Sequence, residues 1–167
     1  MFACADTRGL APEDRHALLQ QQLSALFQGV TSPLSNMANM AALLYQSLPE
    51  LNWAGFYLCK GETLLLGPFQ GKPACVAIPF GKGVCGTAAA TRQAQLVPDV
   101  HAFPGHIACD GASASELVIP LLRADKLYGV LDLDSPVPAR FTPEDLQALS
   151  SLCQMLVDAC AWEDGLL

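Results

Sequence analysis

Four prolines divide the hydrophobic pattern of this chain into stretches of different period. Pro12 and Pro33 stand where helices can begin, Pro49 where one must stop, and Pro143 where another opens near the C-terminus. After Pro12, Leu19, Leu23 and Leu26 recur at helical spacing. After Ser32-Pro33, an apolar face of Leu34, Met37, Ala41, Leu44 and Leu48 is expected. The last helix is predicted from "FTPEDL", with Thr142 as N-cap, Pro143 first and Asp145 third, and a face of Leu146, Leu149, Cys153, Leu156 and Cys160.

Between Pro49 and Pro143 the period shortens. "WAGFYL" and "TLLLGPF" predict a hairpin around Lys60-Gly61, "CVAIPF" a third strand, "VCGTAAAT" a short helix of small residues and "AQLV" a fourth strand. "ELVIPLL" and "LYGVLDLDS" predict a second hairpin around Ala124-Asp125. Residues 98–114 show no period and read as one long loop, a length that usually serves function. Helices at both ends with a meander between them predict an α+β domain: a mostly antiparallel sheet with N- and C-terminal helices packed on it.

With 167 residues, 51% hydrophobic and 15% charged, the chain has material for one core and is not disordered. One domain over 1–167 is expected, with about 1–11 as a loose N-terminal segment. A net charge of −7 argues against nucleic acid, which needs a basic surface. "MFACADTRGLAPEDR" lacks the pattern of a signal peptide, and no apolar run approaches a membrane span, so no membrane partner and a cytoplasmic location are expected.

Seven cysteines, at 4, 59, 75, 85, 109, 153 and 160, include no C-x-x-C pair, and a structural zinc site is not expected. Cys153 and Cys160 lie on a helical apolar stripe and read as core, Cys59 as filler at a strand end, Cys4 as incidental. Cys75, Cys85 and Cys109 lie on no such stripe. Cys85 falls in the first turn of a predicted helix, where the dipole favours a thiolate. Cys109 falls in the long loop. On residue chemistry alone either is a nucleophile candidate.

Strict alternation in "GVLDLDS" turns Leu131 and Leu133 to the core and Asp132 and Asp134 together to the other face, about 6–7 Å apart. These two are either a solvated edge or, with Glu116 on the partner strand, a carboxylate cluster. Such a cluster could receive an ammonium group and keep one acid protonated. Of the three, Asp134 lies nearest the strand end and the long loop, and is favoured as proton donor. Trp53 and Tyr57 share one face of their strand, as core or as the wall of a pocket. Gly81, Gly83 and Gly86 spell G-x-G-x-x-G, but Pro79 and the short flanking elements argue against a dinucleotide fold.

The stretches "GPFQGKPACVAIPFGKGVCGTAAAT", "VPDVHAFPGHIACDGASASE" and "GVLDLDSP" resemble those of free methionine-(R)-sulfoxide reductases, which are built on a GAF-type domain. The resemblance covers roughly residues 20–160. It implies Cys109 as catalytic cysteine, Cys75 as principal resolving cysteine and Cys85 as a third. Glu116, Asp132 and Asp134 are implied as substrate-binding acids, with Trp53 and Tyr57 as pocket aromatics. It further implies reduction of free L-methionine-(R)-sulfoxide through a cysteine sulfenic acid and an intramolecular disulfide. No metal or organic cofactor is then required. Thioredoxin is the implied dithiol reductant, and a homodimer the implied assembly. The rival expectations are a GAF sensory module without catalysis and a thiol-based oxidant sensor.

Overall fold

The proline-marked helices α1 (Pro12–Phe27) and α2 (Pro33–Ser47) lead into strands β1 (Trp53–Lys60), β2 (Thr63–Gly71) and β3 (Ala77–Pro79). Helix α3 (Gly83–Thr91) follows, then β4 (Gln95–Val97), a 3-10 turn at Val100–Ala102, the hairpin β5 (Ser115–Arg123) and β6 (Lys126–Ser135), and α4 (Pro143–Ala159). The structure, a computed structural model, describes residues 5–7, 9–105 and 111–162.

The six strands form one sheet in the order β3-β2-β1-β6-β5-β4, every neighbouring pair antiparallel. Period-2 alternation sorts side chains between two layers. Ala54, Phe56, Leu58, Leu131 and Leu133 join α1, α2 and α4 in the larger core. Trp53, Tyr57, Val118 and Val130 face the other way and pack with α3. This is the α+β architecture the hydrophobic pattern predicts. Among the described residues no helix is long and apolar enough to cross a membrane.

Side chains cap two of the helix starts, the predicted one at Thr142 among them. Ser32 accepts from the Ser35 amide at 3.3 Å. Thr142 and Asp145 form a reciprocal capping box, and Asp145 also receives Arg140 at 3.0 Å and His16 Nε2 at 3.1 Å. A cap of this kind stabilises a helix end by about 1 kcal/mol. Of the predicted N-terminal segment, Thr7 is buried and donates to the Ser47 carbonyl at 2.8 Å.

Three expectations need correction. Leu34 is 55% exposed, because the buried face of α2 centres on Pro33, Met37, Met40 and Leu44 and Leu34 lies about a quarter turn away. The strand expected over 75–80 is only Ala77–Pro79, with Val76 exposed. The loop expected over 98–114 contains the 3-10 turn, capped by the Asp99 carboxylate accepting from the His101 amide at 2.9 Å.

Within the glycine triplet, Gly86 serves packing. A Cβ on Gly86 would lie 2.4 Å from the Pro79 carbonyl oxygen, so glycine lets α3 close onto the end of β3. The described sheet contains no parallel strand–helix–strand unit, as expected from Pro79.

Candidate active site

The register of β1, β6 and β5 brings the predicted site residues to one sheet face. Asp134 pairs with Trp53 on one side and Glu116 on the other, while Asp132 pairs with Gly55 and Val118. Side chains at these positions point toward α3, which lies across them. Its third residue, Cys85, sits with Sγ 3.9 Å from Glu116 Oε1 and donates to it. The result is a cleft between α3 and the sheet. Trp53 and Tyr57 wall it, Glu116, Asp132, Asp134 and Cys85 furnish its polar side, and the exposed Lys72 and Lys82 stand at its rim.

The aromatic wall depends on the absence of a side chain between its rings. Trp53 stacks on Tyr57 at 5.9 Å and on Phe69 at 5.3 Å between centroids. A Cβ on Gly55 would meet Phe69 Cβ at 2.3 Å and Trp53 Cη2 at 2.6 Å. The polar edges of both wall residues are used as anchors. Trp53 Nε1 donates to the Lys72 carbonyl at 3.1 Å, and the Tyr57 hydroxyl donates to the Cys75 carbonyl at 3.0 Å. The segment from Lys72 to Cys75 is thereby strapped against the pocket wall.

Burial controls the electrostatics. Glu116 and Asp132 are each only 6% exposed. Burial, then the charges of Asp132 and Asp134, push the Glu116 carboxyl well above the usual range. Burial also raises Asp132, to about 7. Two carboxyls this close and this dry hold a proton at neutral pH. Tyr57 is pushed up as well, first by burial and then by Asp132, so its hydroxyl stays a donor.

Cys85 departs from the helix-dipole expectation. It occupies the first turn of α3 as predicted, but its thiol is raised well above the ordinary value. Desolvation is the larger cause, followed by the charges of Asp132, Glu116 and Asp134, and together these outweigh the helix terminus. Cys75 is half-buried and disulfide-bonded, whereas Cys59, Cys85, Cys153 and Cys160 are free thiols. Cys153 and Cys160 lie in the larger core as expected. Cys109 lies outside the described residues.

Two residues of the site have no signature in the sequence. Ser113, buried in the cleft lining, accepts from Asn52 Nδ2 at 3.0 Å, and the Asn52 amide donates to the Asp134 carbonyl at 3.1 Å. Asn52 thus ties the end of the loop to the strand carrying the acids. Neither residue belongs to a periodic pattern, and only the pairing of distant strands joins them. Cys85, Glu116 and Asp132 also present donor atoms within 4.8 Å of one another, a spacing open to a metal ion.

Comparison with known proteins places this geometry among relatives. The GAF domain model matches residues 22–159. A protein of Escherichia coli (strain K12) named free methionine-R-sulfoxide reductase is 54% identical over 149 residues, covering 89% of this chain and 90% of the relative. A protein of the same name from Saccharomyces cerevisiae is 42% identical over 161 residues, with 90% and 89% covered. The X-ray structure of free methionine-R-sulfoxide reductase from Neisseria meningitidis in complex with its substrate superposes with a TM-score of 0.87. It shares 38% identity and 95% of each chain is covered.

Proposed function

Because the chain belongs to the free methionine-R-sulfoxide reductase family of GAF-domain proteins, we propose that it reduces free L-methionine-(R)-sulfoxide to L-methionine at the cleft between α3 and the sheet. The observation that carries this reading is the carboxyl cluster of Glu116, Asp132 and Asp134 facing the Trp53–Tyr57 wall. The acids receive the substrate ammonium, and the aromatic wall receives its apolar side chain. A peptide-bound residue offers no ammonium and would leave buried acid groups without a partner, which disfavours it by several kcal/mol.

The chemical step runs through Cys109. Its thiolate attacks the sulfoxide sulfur while a protonated carboxyl group donates to the sulfoxide oxygen. The substrate sulfur is reduced to a thioether, and the oxygen ends on Cys109 as a sulfenic acid. The Cys75 thiol then attacks the Cys109 sulfur, water leaves, and an intramolecular disulfide forms; Cys85 is the substitute for Cys75. An external dithiol, thioredoxin, returns both cysteines to thiols by exchange in the cytoplasm.

Strand position favours Asp134 as proton donor. Burial instead supports the Glu116–Asp132 pair, because burial raises both carboxyls so that the pair holds a proton, while Asp134 is half-buried. We assign the proton to that pair and the ammonium chiefly to Asp134.

The test is chiral product analysis with each separated sulfoxide epimer and a dithiol reductant, for wild type and Cys109→Ser. Stoichiometric methionine from the R epimer alone, lost in the variant, is the expected result. Ligand binding without methionine release would establish a sensory module instead. Thiol oxidation without methionine release would establish an oxidant sensor.

A further inference from the structure

We propose that Cys85, Glu116 and Asp132 form a binding site for a thiophilic divalent cation, with Zn2+ the ion best suited to the donor set, and that the occupied cleft excludes the sulfoxide. The three donors come from α3, β5 and β6, so the packing of three elements preassembles them. Their ligand atoms all lie within 4.8 Å of one another, and Cys85 Sγ stands 3.9 Å from Glu116 Oε1. A separate observation points to a missing ligand: the Asp132 side chain, 6% exposed, hydrogen-bonds Cys85 and Glu116 yet has Oδ1 buried without a hydrogen-bond partner. A buried carboxylate oxygen in that condition gains from any cation it can reach.

The donor chemistry selects the ion. Zn2+ binds cysteine sulfur at about 2.3 Å and carboxylate oxygen at about 2.0–2.2 Å, which places tetrahedral ligand atoms about 3.3–3.8 Å apart. The present spacings, 3.9 Å from Cys85 Sγ to Glu116 Oε1 and none above 4.8 Å, lie a little above that range. A thiolate ligand disfavours Mg2+ and Ca2+, which take oxygen. Coordination releases to solvent both the Cys85 thiol proton and the proton held by the Glu116–Asp132 pair. Three protein ligands leave a fourth tetrahedral position for water. Absence of C-x-x-C does not bear on this site, because its donors are far apart in sequence and are assembled by the sheet.

Coordination stands on the geometry alone; exclusion of the sulfoxide rests on the function proposed above. Co2+ titrated into the full chain in its disulfide-oxidised form reads coordination without an activity assay, since Cys75 is then not a thiolate. A near-ultraviolet thiolate-to-cobalt charge-transfer band at one equivalent is expected, bleached by Zn2+. Cys85→Ser, checked for folding by circular dichroism, should lose the band, and Cys59→Ser should keep it. Asp132→Asn should keep the band with affinity at least about 10-fold weaker, since even outer-shell partners are worth about 10–100-fold. No band with excess Co2+, or a band surviving in Cys85→Ser, overturns the site. Free methionine sulfoxide should bleach the band of the loaded wild type. A band unaffected by saturating sulfoxide overturns the exclusion, and a band in a chain without reductase activity retains the site while sinking the function.

Discussion

The hydroxyl of Tyr57 donates to the backbone carbonyl of Cys75 at 3.0 Å, so one side chain both walls the cleft and anchors the segment carrying the proposed resolving cysteine. Tyr57→Phe separates these roles, because it keeps the ring and removes the donor. Methionine release in a single turnover should fall less than the rate of disulfide formation, followed by quench and thiol counting. Equal losses in both would mean that the anchor does not place Cys75.

Cys109→Ser should abolish reduction even with a strong small dithiol, because the attacking sulfur is gone. Cys75→Ser should still release close to one equivalent of methionine in one turnover and then recycle slowly with thioredoxin. Residual recycling that disappears in Cys75→Ser/Cys85→Ser would identify Cys85 as the substitute. Its buried, proton-holding thiol predicts a slow one. Full activity in Cys109→Ser would remove that residue from the mechanism.

Glu116→Gln and Asp132→Asn remove members of the pair to which we assign the proton. Each should lower kcat by on the order of 10²-fold, a general-acid contribution. Asp134→Asn should chiefly raise KM, because an interaction made equally in ground and transition states affects binding alone. A kcat effect confined to Asp134→Asn would move the donor to the strand end.

Stability should depend on pH through the same pair. Burial raises Asp132 from 3.8 to about 7, and Glu116 moves in the same direction. The folded chain therefore keeps protons, between about pH 4 and about pH 7, that the unfolded chain has lost. Stability falls as pH rises through this window, by about 1.4 kcal/mol per pH unit for each retained proton. Urea denaturation of wild type and Asp132→Asn across the window should show a shallower slope in the variant. A flat wild-type profile would mean that both carboxyls ionise in the folded protein.

Gly55→Ala tests the aromatic wall. The added methyl would stand 2.3 Å from Phe69 Cβ and 2.6 Å from Trp53 Cη2. Overpacking of this kind costs about 1–3 kcal/mol. A lower urea midpoint with a raised KM is expected; an unchanged midpoint would show that the rings can part without loss.

Local pattern determined much of this protein. Proline positions, the Thr142–Asp145 box and the period of each segment specify where helices and strands run, because capping and amphipathicity act within a few residues. Alternation in "GVLDLDS" also determines that Asp132 and Asp134 share a face opposite Leu131 and Leu133, since successive strand side chains must point to opposite sides. What lies over that face is not a local property. Leu34 belongs to the right period yet lies off the buried face, because the rotation of α2 is set by what it packs on. Cys85 occupies a helix start that should favour a thiolate. Burying that start against Glu116 and Asp132 reverses the preference, and the contact spans 31 residues of chain. Whether the acids form a solvated edge or a dry, proton-holding cluster was decided by α3 and the Lys72–Cys75 strap closing over them. Desolvation depends on the volume around a group, and that volume is filled by segments brought together only when the sheet assembles.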